Sequence, residues 1–410
     1  MAFRFAEQPR QPDQETPVVA EEEMIQEEVK EETVKDEKQE VAAIEIRNIE
    51  LTPQGQLANP PDAVQAVYFT SWSGGSKKKI DYVINLAKTT GVNAVVIDIK
   101  DFSGQIAYNT NVPEAETYQA EVIKIWDIDA LIDRLHQEGV YVIARITVFQ
   151  DPILTAQRPD LSVQSKATEG VWKDYKGLGW IDPASKEAWN YNVAIARDAA
   201  SRGFDEINFD YIRFPSDGDL QSMEFPLWDG QTSRRAVLKE FFAYLDANLQ
   251  DVKISADLFG LATVQKDDLG IGQVLEDAYG YFDYVCPMVY PSHYANGFLG
   301  YPKPAEYPYE VVKYSLQRAH ERLQALELAN PGVRFAKLRP WLQDFDLGAT
   351  YDGLMVQAQI QATNEVLGEN SPGYLLWAPT NIYTVEALNP FVFDQKTYDT
   401  RPRTSLEPTP

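Results

Sequence analysis

The chain has 410 residues, of which 44% are hydrophobic and 12% aromatic, enough for the core of a large barrel plus an appendage. Its formal net charge of −25 works against nucleic acid, whose phosphates need Lys and Arg to neutralise them, and against an anionic membrane surface. The lone cysteine, Cys286, excludes an intrachain disulfide, and His136, His293 and His320 are too few for a multi-histidine zinc site, so neither metal nor cofactor is expected.

Residues 1–60 stand apart, with 15 acidic residues against 6 basic ones. The run EEEMIQEEVKEETVKDEKQE has no Gly, Pro or aromatic residue, which predicts a disordered or loosely helical solvated segment, or a spacer. IEIRNIEL (44–51) alternates apolar and polar residues as a short strand would. MAFRFAEQPR lacks the apolar stretch of a secretory signal, and no run of about 18 apolar residues is present. That pattern predicts no membrane insertion, and either a cytoplasmic chain or an extracytoplasmic one whose targeting segment was removed.

From residue 64 the pattern turns regular. VQAVYFT (64–70) reads as a strand, followed by a helix that Ser76 caps and Gly91 stops. NAVVIDI (93–99) is a second strand, WDIDALIDRLHQEG a helix ending at Gly139, and VYVIARI (140–146) a third strand. Asp182-Pro183 opens a helix that Gly203 closes. DEINFDYI (205–212), KISADLF (253–259), DYVCPMVY (283–290), RFAKLRPWL (334–342) and GYLLWAPT (373–380) follow as strands four to eight, with helical stretches between them. Eight alternating units predict an α/β fold, a parallel (β/α)₈ TIM barrel over 64–390, with residues 391–410 as a tail. The competing open, doubly wound sheet is weakened because no G-x-G-x-x-G or Walker loop follows a strand.

In such a barrel the reactive groups lie just past the strand C-termini. Strand two ends with Asp98, Lys100 and Asp101, and strand three with Arg145. Strand four carries Asn208, Asp210 and then Arg213, and strand five ends at Asp257. Strand six ends with Met288, Tyr290 and His293, strand seven with Trp341, Gln343 and Asp344, and strand eight with Trp377. Any single Asp there could simply end a strand or cap a helix. Four converging carboxylates point to chemistry. Adjacent strands lie about 4.8 Å apart, so Asp210 and Asp257 can approach the roughly 5–5.5 Å of a double-displacement pair. One would attack an anomeric carbon while the other, its pKa raised by its neighbour, protonates the leaving oxygen. Asp98, Asp101 and Asp344 remain alternative partners. Arg213 or Arg145 could hold a carboxylate ionised, or form a structural ion pair.

Aromatic residues crowd the stretch after strand three (Trp172, Tyr175, Trp180) and the stretch after strand six (Tyr294, Phe298, Tyr301, Tyr307, Tyr309). They could stack on sugar faces or pack the loops onto the barrel. Trp341 and Trp377, at strand ends, are the better site candidates. Both long stretches are expected to wall a pocket.

FDEINFDYIRFPSDG, with VVIDIKDFSG, ISADLFG, MVYPSHY and GYLLWAPTN in that order, resembles a bacterial barrel domain of unknown function inferred to hydrolyse glycosides. The resemblance spans roughly 64–390. It implies kinship with alpha-amylase-like and alpha-galactosidase-like enzymes, in which an Asp ending strand four is the nucleophile, matching Asp210. Alpha-amylases place Glu on strand five, where this chain has Asp257. The D-x-x-D-x-D-x-E of chitinase-like enzymes is matched at Asp205, Asn208 and Asp210, but its acid position falls on Ile212. Their M-x-Y and strand-eight Trp match Met288, Tyr290 and Trp377. The implied activity is hydrolysis of a polysaccharide, with a carbohydrate as partner. The competing expectations are a catalytically silent glycan-binding barrel and a polysaccharide deacetylase, for which histidines are too few.

Overall fold

The computed structural model describes residues 55–389, 393–401 and 403. The acidic run and the strand expected at 44–51 lie outside the described residues. Eight parallel strands close a barrel: β1 Val64–Phe69, β2 Ala94–Lys100, β3 Tyr141–Thr147, β4 Glu206–Asp210, β5 Ile254–Phe259, β6 Tyr284–Met288, β7 in two pieces (Lys337–Leu338 and Trp341–Gln343), and β8 Gly373–Trp377. The second piece of β7 pairs with both β8 and β6, and β8 pairs with β1, so no edge is left open. β7 breaks at Arg339-Pro340, where proline supplies no ladder donor.

Inward and outward residues alternate along each strand. Ala66, Tyr68, Val96, Ile143, Cys286, Leu375 and Trp377 pack inside the barrel. Val67, Val95, Val142, Ile207, Leu342 and Leu376 pack outward beneath the helices. Each fully buried Val, Leu or Ile stabilises the fold by about 1.5–3 kcal/mol. The helices begin where the sequence offers a cap: Ser76 accepts from Lys79 N, Asp127 from Ala130 N, Ser233 from Ala236 N and Asp352 from Met355 N.

Three elements differ from expectation. The helix predicted to open at Asp182-Pro183 starts at Lys186, capped by Ser185. The Asp182 carboxylate instead accepts from the backbone N–H groups of Ala184, Leu227 and Trp228, tying the β3 loop to the β4 loop. A two-residue antiparallel ladder, Gln164–Ser165 against Met223–Glu224, joins the same loops. β4 ends at Asp210 rather than Ile212, because Tyr211 has a φ of 51°, in the left-handed region that breaks a ladder. Within the C-terminal segment expected as a tail, Gln395–Thr400 forms a helix whose Tyr398 is fully buried and donates to Glu310.

At the N-terminal end of the barrel interior, Glu206 and Arg339 form an ion pair with no solvent exposure. Tyr141 donates to Glu206 at 3.3 Å, and the Arg339 guanidinium lies 4.0 Å from the Tyr284 ring centroid. Among the described residues, no helix is long and apolar enough to cross a membrane.

Candidate active site

The C-terminal mouth of the barrel is built around Arg145, the last inward side chain but one of β3. Its Nη1 donates to Asp98 Oδ1 at 2.7 Å, its Nη2 to Asp210 Oδ2, and its Nε makes a longer contact of 3.4 Å with Asp257 Oδ2. One guanidinium thus joins carboxylates from β2, β4 and β5. The strand ladder dictates this convergence, since Asp98 pairs with Arg145 and Arg145 with Asn208 in register. Arg145, Asp98, Asp210 and Asp257 are 6%, 3%, 4% and 1% exposed, so water screens these charges little.

Each carboxylate has its own surroundings. Asp257 Oδ1 accepts from Asn208 Nδ2 at 2.8 Å and from Trp341 Nε1 at 2.7 Å. Asn208 also donates to Ser255 Oγ at 3.0 Å. Burial first, and the nearby Asp210 charge second, push the Asp257 carboxyl up to about 8, against the pull of Arg145, Asn208 and Trp341. Asp98 is also raised by burial, opposed by Arg145 and by the Tyr68 hydroxyl, which donates to Asp98 Oδ2 at 2.5 Å. Asp210 Oδ1 accepts from Tyr211 N at 2.6 Å, a contact that the left-handed turn at Tyr211 permits.

Aromatic rings line the mouth. Tyr68 and Trp377 stack with centroids 3.8 Å apart and planes 14° from parallel, and Trp341 stands edge-on to Trp377 at 5.6 Å. The Arg145 guanidinium lies 5.0 Å from the Trp377 centroid. Tyr290 and His293 pack edge-on at 5.4 Å, and both face Phe345. Met288, half-buried, borders this group from the end of β6.

The structure therefore gathers Asp98, Arg145, Asn208, Asp210, Asp257, Trp341 and Trp377 into one contact network. Tyr68 is a member that the sequence reading missed. A tyrosine inside an apolar strand reads as core, and only its inward parity on β1 signalled more.

Other candidates are engaged elsewhere. A bulge at Asp98–Lys100 sets Lys100 opposite outward-facing Ile146. Lys100 is fully buried there against Asp151 at 2.8 Å and the Thr147 carbonyl at 2.6 Å. Asp101 accepts from Ser103 and from Lys124 at 2.9 Å, holding the β2 loop. Asp344, raised to about 6 chiefly by burial, accepts from Thr384 N and Oγ1 and anchors the segment after β8. Gln343 accepts from Ser292 N and so ties β7 to the β6 loop. Arg213 packs over Trp180, Tyr211 and Phe259 and donates to Ser216 Oγ at 2.9 Å. Asp205 sits at the opposite end of β4, accepting from Leu57 N and Val142 N and pairing with His136. Trp172 and Trp180 are buried and donate to Asp219 O and Asp174 Oδ2, so they pack their own loop, whereas Tyr175 is 75% exposed. Among the described residues no cluster of His, Cys, Asp and Glu suits a metal ion.

Carboxylates converging at the C-terminal mouth of a closed (β/α)₈ barrel occupy the face on which the active sites of this fold sit. The chain belongs to the family described as "putative glycosyl hydrolase domain", which matches residues 66–383. Among solved structures, it is similar to a hypothetical protein from Ruminiclostridium thermocellum ATCC 27405, at 36% identity over 50% of this chain and 98% of that one, with a TM-score of 0.44. It also resembles an alpha-L-fucosidase isoenzyme 2 from Paenibacillus thiaminolyticus, at 11% identity over 80% of this chain and 48% of that one, with a TM-score of 0.51. A third is an alpha-galactosidase from Thermus thermophilus, at 12% identity over 79% of this chain and 59% of that one, with a TM-score of 0.48. The chain therefore spans about half of the fucosidase, and the likeness there is one of fold. No curated protein matches the chain.

Proposed function

We propose that the protein is a glycoside hydrolase that cleaves a polysaccharide by double displacement, with Asp210 as nucleophile and Asp257 as general acid and base. The observation that carries this reading is the shared guanidinium. Asp210 and Asp257 lie on neighbouring strands and both contact Arg145. One guanidinium therefore holds both carboxylates within reach of a single anomeric centre, although the 3.4 Å contact to Asp257 is the longer of the two, and a carboxylate pair at such close range is what a double displacement needs.

The environments divide the roles. Asp257, pushed up to about 8, holds a proton at neutral pH. In the first step an Asp210 oxygen bonds to the anomeric carbon, the glycosidic C–O bond breaks, and the Asp257 proton goes to the leaving oxygen. In the second step Asp257 takes a proton from water, the water oxygen bonds to the anomeric carbon, and the bond to Asp210 breaks. Asn208 and Trp341 fix the Asp257 carboxyl through Oδ1, and Arg145 fixes Asp210. A panel of α- and β-linked polysaccharides assayed for new reducing ends, with Asp210→Asn beside the unaltered chain, tests the assignment.

A second reading, a glycan-binding barrel without turnover, draws on the 1% exposure of Asp257. It predicts that panel members bind and none is cleaved.

A further inference from the structure

Two buried polar atoms at the mouth, Thr147 Oγ1 and Trp377 Nε1, have no hydrogen-bond partner among the described residues. Thr147 is fully buried and Trp377 is 4% exposed. Burying a hydroxyl or an indole N–H without a partner is unfavourable, and such atoms are rare in native folds unless something else completes them.

Both residues belong to the inward-facing set. Thr147 follows Arg145 by two positions on β3 and is in register with Asp210 on β4. Trp377 follows the interior residue Leu375 by two positions on β8. The Thr147 backbone and the Trp377 ring are each held in place. The Thr147 carbonyl accepts from Lys100 Nζ at 2.6 Å, pinning the end of β3. The Trp377 ring is covered on one face by Tyr68 at 3.8 Å and flanked by Trp341 at 5.6 Å. With that face taken, the N–H is the polar group Trp377 can offer. From β3, the Arg145 guanidinium reaches to 5.0 Å from the Trp377 centroid and donates to Asp210. A third such atom, Asn208 Oδ1, sits one layer deeper, two residues before Asp210 on β4.

We propose that Thr147 and Trp377 read hydroxyl groups of the single sugar ring seated over Asp210, an inference that rests on the glycosidase reading above. Trp377 Nε1 can only donate, so it requires a ring or hydroxyl oxygen. Thr147 Oγ1 donates or accepts, so it requires a hydroxyl. The ligand class is a pyranose bearing hydroxyls on the two sides that face β3 and β8. A site that buries such groups rejects a deoxy analogue, which would leave them unpaired.

The test uses the full chain carrying Asp210→Asn, with Thr147→Val or Trp377→Phe added. The probes are glucose, galactose, mannose, N-acetylglucosamine and their α- and β-linked oligomers, followed by saturation-transfer NMR and calorimetry. Valine keeps the shape of threonine without the hydroxyl, and phenylalanine keeps a stacking ring without the N–H. A probe that binds Asp210→Asn should bind about three- to tenfold more weakly after either change. Thr147→Val should leave Tm unchanged or raise it, because it removes an unpaired buried hydroxyl. Unchanged affinity in both variants overturns the proposal while sparing the glycosidase reading. A fall in Tm with Thr147→Val also overturns it, because the hydroxyl then serves the fold. Failure of every probe to bind Asp210→Asn sinks both readings together.

Discussion

Asp210 and Asp257 rest on one side chain: Arg145 Nη2 donates to the first and Arg145 Nε contacts the second at 3.4 Å. A single guanidinium charge in so dry a site does not offset three ionised carboxylates. Burial first and the Asp210 charge second push the Asp257 carboxyl up, to about 8, and the proposed mechanism uses that carboxyl as the proton carrier. The acid form is lost as pH rises through that value, so kcat/KM on an established substrate should fall above about pH 8. Folding stability follows the same direction. The native chain keeps a proton that an unfolded Asp releases near pH 4, so between about 4 and about 8 this group lowers stability as pH rises. A pH–rate profile and Tm measured against pH check both. A basic limb well below pH 7 would remove Asp257 from the acid role.

Burial sets most of where that limb falls, and Trp341 adjusts it. Its indole N–H donates to Asp257 Oδ1 at 2.7 Å and pulls the carboxyl pKa down. Trp341→Phe should therefore move the basic limb to higher pH and lower kcat more than it raises KM, because the acid is less well oriented. A limb that stays in place would mean the bond does not tune Asp257.

Arg145→Met removes the cation from beneath Asp98, Asp210 and Asp257. Stranding buried carboxylates this way typically costs about 3–5 kcal/mol. The loss should be largest at alkaline pH, where Asp257 and Asp98, both pushed up by burial, are ionised, and shrink as pH falls. Urea melts at several pH values measure it, and a pH-independent loss would show that packing, not charge, sets the effect.

Glu206 and Arg339 make a separate test, because their ion pair lies at the far end of the barrel interior with both side chains unexposed. Arg339→Met alone should destabilise by about 3–5 kcal/mol, whereas Glu206→Gln with Arg339→Met should recover most of that. Chemical denaturation of the single and double variants decides it. Equal losses would mean that the guanidinium acts through its packing on Tyr284 rather than through its charge.

The barrel was legible because each strand is a short apolar run followed by a helix with its own cap, a pattern that survives without knowledge of tertiary contacts. The convergence of Asp98, Arg145, Asp210 and Asp257 was legible for the same reason, since strand ends meet at one mouth. What escaped were local departures from regularity. The bulge at Asp98–Lys100 rotates Lys100 to the outer face, although simple alternation places it beside Asp98. Asp182 looks like a helix opener in sequence, yet its partners Leu227 and Trp228 come from another loop. Tyr68 and Thr147 escaped because a tyrosine in an apolar run and a threonine at a strand end look ordinary until the register places them beside Asp98 and Asp210.

The most direct test of the central claim is the reducing-end assay on the polysaccharide panel, run with the unaltered chain and Asp210→Asn side by side. The account predicts that the unaltered chain releases reducing ends from at least one glycan. Asp210→Asn, which conserves volume and leaves Arg145 paired with Asp98, should then lose several orders of magnitude in turnover on that glycan. Full activity in Asp210→Asn would contradict the account, whatever the distance between the two carboxylates.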